Sequence, residues 1–116
     1  MLYDVEIVLR ERNYAVTEQI EHGIEPRVWT ERDVKVVLEQ ILRAIDRVKN
    51  PESPAAHVAI RGFSWIVEPV PEGVVVAIEI PTGAAVAGPF AIEQERLEGM
   101  VRRVIAAAAI PRTTVH

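Results

Sequence analysis

The 116-residue sequence contains no cysteine and few aromatic residues. Without cysteine the chain forms neither a disulfide nor a thiolate metal site, and it cannot be an enzyme with a cysteine nucleophile. Aromatic residues make up 5% of the chain, against 49% for all hydrophobic residues. We therefore expect a core filled mainly by the aliphatic side chains of valine, isoleucine and alanine.

Long apolar runs and clusters of basic residues are also missing. No stretch approaches the ~20 consecutive apolar residues of a transmembrane helix. The 13 lysine and arginine residues are interleaved with 17 acidic ones, which gives a net charge of −4. Binding to nucleic acid or to an anionic membrane depends on clustered positive charge, so we expect neither partner. The acidic start, Met1 to Glu6, is unlike a signal peptide, and we expect a cytoplasmic protein.

Hydrophobic periodicity predicts a single α+β domain over residues 1–110, followed by a flexible tail at 111–116. The predicted element order is β-β-α-β-β-β-α. This order indicates a two-layer sandwich, in which two amphipathic helices cover one face of a mostly antiparallel sheet of four to five strands.

The two helices have clear start and stop signals. The first is predicted to begin after Thr30, an N-cap residue with Asp33 three positions later, and to end at Asn50. The second is predicted to start near Phe90 and to end before Pro111. Both carry apolar residues at three- and four-residue spacing, so each should bury one face.

The strands are predicted from the alternation of apolar and polar residues. They cover residues 3–10, 14–20, 57–63, 64–70 and 74–80. Gly62 falls inside this pattern and is either a bulge or the corner of a tight turn. The sequence leaves that choice open. The strand count of four or five depends on it and on whether residues 14–20 return as the second strand of a hairpin.

The segment from Pro81 to Pro89 joins a strand to a helix, which is where phosphate-binding loops form. It contains no lysine, its two prolines lack an N–H group, and acidic Glu93 and Glu95 follow it. These features argue against a nucleotide site. We expect a connecting loop, with a mobile apolar lid or a contact surface as the alternative.

The titratable residues give weak indications of chemistry. His22, His57 and His116 lack the spacing of a metal site, so we expect no metal and no cofactor. On one strand face Arg61 follows His57, and Trp65 joins them if Gly62 does not shift the register. With Glu79 from the next strand, these residues could bind a small ligand, but we assign no catalytic residue. The alternative is a solvated face with one salt bridge.

The sheet face opposite the helices is more apolar than exposure to water requires. Five small apolar residues are candidates for an interface there or in the following loop: Val8, Ala59, Val75, Ala77 and Val86. This pattern favours a homodimer or binding to a larger protein partner, although small residues on an open sheet are also tolerable.

The function favoured by the sequence is a non-catalytic assembly or adaptor module. A small-ligand-binding protein or minor enzyme, with a pocket near His57, Arg61 and Trp65, is the alternative. The α-β-β-β-α order from Thr30 to Ala109 resembles the double-stranded-RNA-binding domain in topology alone. Residues 91–95, where that module is basic, contain two acidic residues and no basic one here, which argues against a nucleic-acid binder.

Overall fold

The structure is a computed structural model that describes residues 1–52 and 58–109. Its elements are β1 (Leu2–Leu9), β2 (Ala15–Glu21), a short 3-10 helix (Pro26–Val28), α1 (Glu31–Lys49), β3 (Ser64–Val70), β4 (Gly73–Ile80), β5 (Gly83–Phe90) and α2 (Gln94–Ala109). The five strands form one antiparallel sheet in the order β2-β1-β5-β4-β3. The predicted α+β fold with two helices and up to five strands is confirmed.

Helix α1 begins where its capping residues predict. The Thr30 N–H donates a hydrogen bond to Asp33 Oδ2 (2.9 Å), and the Thr30 hydroxyl lies 3.1 Å from the same oxygen. This contact satisfies a backbone donor at the start of the helix. At the other end the Asn50 N–H donates to the Asp46 carbonyl oxygen (2.7 Å). The buried residues of α1 recur at helical spacing and pack on β1, β2 and β5.

The central strand of the sheet, β5, occupies the segment that the sequence predicts to be a loop, and that prediction is wrong. Ala85 and Ala87 point toward the helices and are 1% and 0% exposed. Small side chains at these positions let α1 lie close to the middle of the sheet. At the start of the strand, a Cβ on Gly83 would collide with the carbonyl oxygen of Val8 on β1. The segment therefore lacks large residues because its neighbours approach closely.

Two element boundaries also differ from the prediction. Residues 58–63 are not part of any strand, and Gly62 has a left-handed φ of 79° just before β3. The register shift of the sheet lies instead between β4 and β5, where Gly88 and Pro89 of β5 stand against the single residue Val75 of β4. Helix α2 starts at Gln94 because Phe90 is the last residue of β5. Part of the predicted strand 57–63 and all of the predicted tail 111–116 lie outside the described residues.

The core is mainly aliphatic, as composition predicts, and its few aromatic side chains lie together at one end. Trp29 and Phe90 are the largest fully buried side chains. Their ring centroids are 5.0 Å apart, and Tyr3 packs on Phe90 at 5.1 Å. The Tyr3 hydroxyl donates to Gln40 Oε1 (2.8 Å), and Trp29 Nε1 donates to the Ile24 carbonyl oxygen (2.9 Å). Burial raises the pKa of Tyr3 above its usual value.

Candidate functional site

The face of the sheet that the helices leave uncovered, called the open face below, carries a continuous apolar band. Ile66 on β3 stands opposite Ala77 on β4, and Ala77 stands opposite Val86 on β5. Val86 in turn faces Glu6 on β1. Residues opposite one another on adjacent strands have side chains in contact range. The band therefore crosses three strands and ends at an acidic residue.

A second, parallel row extends the apolar surface toward β1. Val8 stands opposite Ala84 on β5, and Ala84 stands opposite Glu79 on β4. Val8, Val86 and Ile66 are 43%, 41% and 50% exposed. Of the eight large hydrophobic residues that are exposed in the described part of the chain, four lie on this face: Leu2, Val8, Ile66 and Val86.

Acidic side chains surround the apolar band. Asp4, Glu6, Glu68 and Glu79 are exposed and alternate with apolar residues on the open face. None of the four forms an ion pair with a described residue, whereas Glu21 at the sheet edge pairs with the N-terminal amine (2.8 Å). The outward positions of the five strands include no lysine or arginine. The open face is thus apolar at its centre and negatively charged around it.

The structure brings together four of the five residues predicted for an interface. Val8, Val75, Ala77 and Val86 all belong to the open face, Val86 through the strand that the sequence prediction missed. Ala59 does not, because residues 58–63 are outside the sheet, and it lines a cavity beside Lys49 and Arg61 instead. Their role in binding stays a prediction.

Two of the residues predicted to bind a small ligand, Trp65 and Glu79, lie on opposite faces of the sheet. Ser64 stands opposite Glu79, and the next residue, Trp65, stands opposite Ile78, so Trp65 and Glu79 point to opposite faces of the sheet. The Arg102 guanidinium covers the Trp65 ring from α2, 5.9 Å from its centroid. His57 lies outside the described residues.

Sequence reasoning missed Ile66, Glu68 and Ala84 as members of the open face. The alternation of β3 already separates Ile66 from Trp65, and that signal was sufficient to place Ile66 outward. Ala84 could not be placed, because its segment was interpreted as a loop. Arg102 also pairs with Glu98 within α2, at 3.0 Å.

A buried histidine lies apart from the open face, near the start of α1. His22 is 8% exposed, packs edge-on against Trp29 and has its Nε2 atom 3.5 Å from Asp33 Oδ1. That distance allows an ionic contact but exceeds good hydrogen-bond length. The backbone hydrogen bond from Thr30 is the main reason that the pKa of Asp33 is lowered, and His22 adds to the effect. His22 thus lies beside the capping residue Asp33 at the start of α1.

Within residues 1–52 and 58–109, no three histidine, aspartate or glutamate side chains are placed to hold a metal ion. No helix in these ranges is long and apolar enough to cross a membrane. Comparison with known protein families, with curated protein sequences and with solved structures gives no match. Function is therefore inferred from the chemistry of the open face.

Proposed function

We propose that this protein is a non-catalytic assembly or adaptor module that binds a protein partner through the open face of its sheet. The observation that supports this proposal is the band formed by Ile66, Ala77 and Val86 in register across three strands. A continuous apolar surface with polar residues around it is typical of protein–protein contact sites. A cytoplasmic location, expected from the sequence, is part of the proposal, and cell fractionation tests it.

The dimensions of the open face suit such a contact. Strands spaced about 4.8 Å apart and roughly 25 Å long give five strands an area of about 600 Å². A standard protein–protein interface buries about 800 Å² on each partner. The open face and a small part of its margin are therefore sufficient for a stable complex.

The charges around the band select between two kinds of occupant. Two copies related by a two-fold axis would bring the same surface together, and the unpaired Asp4, Glu6, Glu68 and Glu79 would face one another. Like charges across an interface oppose association. The proposed occupant is a different chain, with an apolar patch that lysine and arginine residues surround.

Site-specific photocrosslinking in the host cells tests this proposal. A photoreactive residue at Val86 or Ile66 is expected to give one and the same crosslinked partner. The same residue at Val36, exposed on α1, is the matched control and should give none. Peptide mapping should place the crosslink beside lysine and arginine residues of the partner, and Glu6→Lys with Glu79→Lys should abolish it. Crosslinks that also arise from Val36, or that survive the charge reversal, contradict the proposal.

The oligomeric state of the isolated chain separates the two occupants. We expect a monomer by sedimentation up to a concentration of about 1 mM, because acidic residues oppose self-pairing. A dimer that Val86→Glu dissociates, and that Val36→Glu leaves intact, would show that the open face binds a second copy. That result would overturn the proposal of a different partner.

A further inference from the structure

One end of the molecule, away from the centre of the open face, contains several cavities, and three cations line one of them. Three neighbouring cavities lie here, and each of four residues lines two of them: Arg10, Lys49, Ile80 and Pro81. They lie where β1 ends, where α1 ends and where the turn between β4 and β5 returns. The proposed function uses Glu79 from the wall of one of these cavities, but none of the residues that line the cavity beside Arg12 and Thr82.

The main cavity, called the basic cavity below, has a volume of about 450 Å³. It is lined by Leu9, Arg10, Glu11, Arg12, Lys49, Pro81 and Thr82. Three of these residues are cations and one is an acid, in a chain whose net charge is −4. The basic cavity is therefore lined by a net positive charge, although the whole chain is negatively charged.

Hydrogen bonds between the walls hold the basic cavity in shape. The backbone N–H of Arg10 donates a hydrogen bond to the Thr82 carbonyl oxygen (2.9 Å), which connects the end of β1 to the turn before β5. The backbone N–H of Arg12 donates a hydrogen bond to the Leu9 carbonyl oxygen (3.0 Å). The Arg12 side chain donates from Nη1 to the Val48 carbonyl oxygen (3.2 Å) at the end of α1. Arg12 thereby links two walls and neutralises the negative end of the helix dipole.

Several arginines elsewhere in the described part of the chain have a glutamate partner, whereas two cations of this end have none there. Arg47, Arg102 and Arg103 each pair with a glutamate at 3.1 Å or less. Arg10 and Lys49 form no ion pair with any residue in the described ranges. Their charges are available to a ligand, and the Thr82 hydroxyl adds a hydrogen-bond donor.

We propose that the basic cavity binds a small organic polyanion, a phosphate ester or a polycarboxylate. The volume lies within the range of about 300–1,000 Å³ that is usual for small-molecule sites. Arg10 and Arg12 supply planar donors that match the paired oxygens of phosphate or carboxylate, and Lys49 supplies a point charge. Leu9 and Pro81 provide an apolar wall for the carbon skeleton.

Titrations with two probes, inorganic pyrophosphate and citrate, test the proposal by nuclear magnetic resonance of the whole chain. We expect saturable shifts of the Arg10, Arg12 and Thr82 amides with a dissociation constant of about 1 mM or lower for at least one probe. Stronger binding of pyrophosphate identifies a phosphate ligand, and stronger binding of citrate identifies a polycarboxylate. Absence of saturable shifts with both probes overturns the proposal.

The double variant Arg10→Gln with Lys49→Gln should weaken binding at least about tenfold, because two of three cations are removed. The matched control is Arg32→Gln, which removes an exposed cation about 25 Å away at the other end of α1. It should change the affinity less than about twofold, since distant charges are screened. Equal weakening by both variants would show a non-specific ionic effect and reject the site. Since the open face is untouched, failure here leaves the proposed function standing.

Discussion

The two faces of the sheet are built from the same strands but expose different amounts of their apolar residues. On the helix-covered face Val5, Ile7 and Ala87 are fully buried, whereas on the open face Val8 and Val86 remain more than 40% exposed. Burial of the first set stabilises the fold, since apolar area removed from water contributes about 25 cal/mol per Å². The second set contributes little to folding. This difference is what the proposed contact with another molecule requires, and substitutions should separate a role in folding from a role in binding.

Phe90→Ala is expected to have the largest effect on stability. The Phe90 ring contacts both Tyr3 and Trp29 and is fully buried on the helix-covered face. Its removal leaves a cavity and should lower the free energy of unfolding by about 3–5 kcal/mol. Urea denaturation measures this loss. Tyr14→Ala, at a residue that is 59% exposed, is the control, and an equal loss there would contradict the contrast between buried and exposed positions.

Ala87→Leu compares the two faces within one strand. Ala87 is 0% exposed beneath the helices, so the extra methyl groups should overpack the core and cost about 1–3 kcal/mol. The same substitution at Ala84, which points to the open face, should change stability by less than about 0.5 kcal/mol. Thermal and urea unfolding of the pair provide the measurement. Equal effects at both positions would mean that the open face is also tightly packed.

Asp33→Ala removes the capping contact at the start of α1. It should lower the free energy of unfolding by about 1 kcal/mol at neutral pH. Because the folded-state pKa of Asp33 is lowered from 3.8, this stabilisation is present above that pH and is lost as the pH falls through the folded-state value. Unfolding measured from pH 7 downward should therefore show a smaller loss of stability on acidification in the variant. An unchanged acid profile would show that the capping contact does not contribute.

Val86→Thr should have the smallest effect on stability, less than about 0.5 kcal/mol, because the residue is already 41% exposed and threonine also suits a strand. Its effect on partner crosslinking from Ile66 should be larger than its effect on unfolding. A loss of several kcal/mol would place Val86 in the core of the fold and remove the contrast between the faces.

The sequence was sufficient for the elements whose signals are local. Thr30 and Asn50 define α1, and the alternation in β1 and β4 assigns Val8, Val75 and Ala77 to the correct face. Strand β5 could not be found in this way, because its alanines and glycines follow from the approach of α1 and of Val8 on β1. Those contacts join residues far apart in sequence, and a local window does not contain them. Because β5 was not predicted, the start of α2 was placed near Phe90 and not at Gln94.

The sequence predicted part of the open face and none of the basic cavity. Alternation was sufficient to place most of the open face, but the neighbours of Val86 depend on the pairing of β5 with β1 and β4. Ala59 was misplaced because the strand expected around it does not form. The basic cavity was not predicted, since Arg10, Lys49 and Thr82 meet through the tertiary fold and form no motif along the chain.

The position of β5 between β1 and β4 sets an order for assembly during synthesis. The partners in β1 and β5 lie about 74 to 84 residues apart in sequence. At about 5–20 residues per second, a ribosome needs several seconds to make β5 after β1 has emerged. During that time α1 is already made and packs on β1, but the edge of β1 that later pairs with β5 has no neighbour. The nascent chain therefore exposes the unpaired backbone groups of one edge of β1 until β5, the last strand made, completes the sheet.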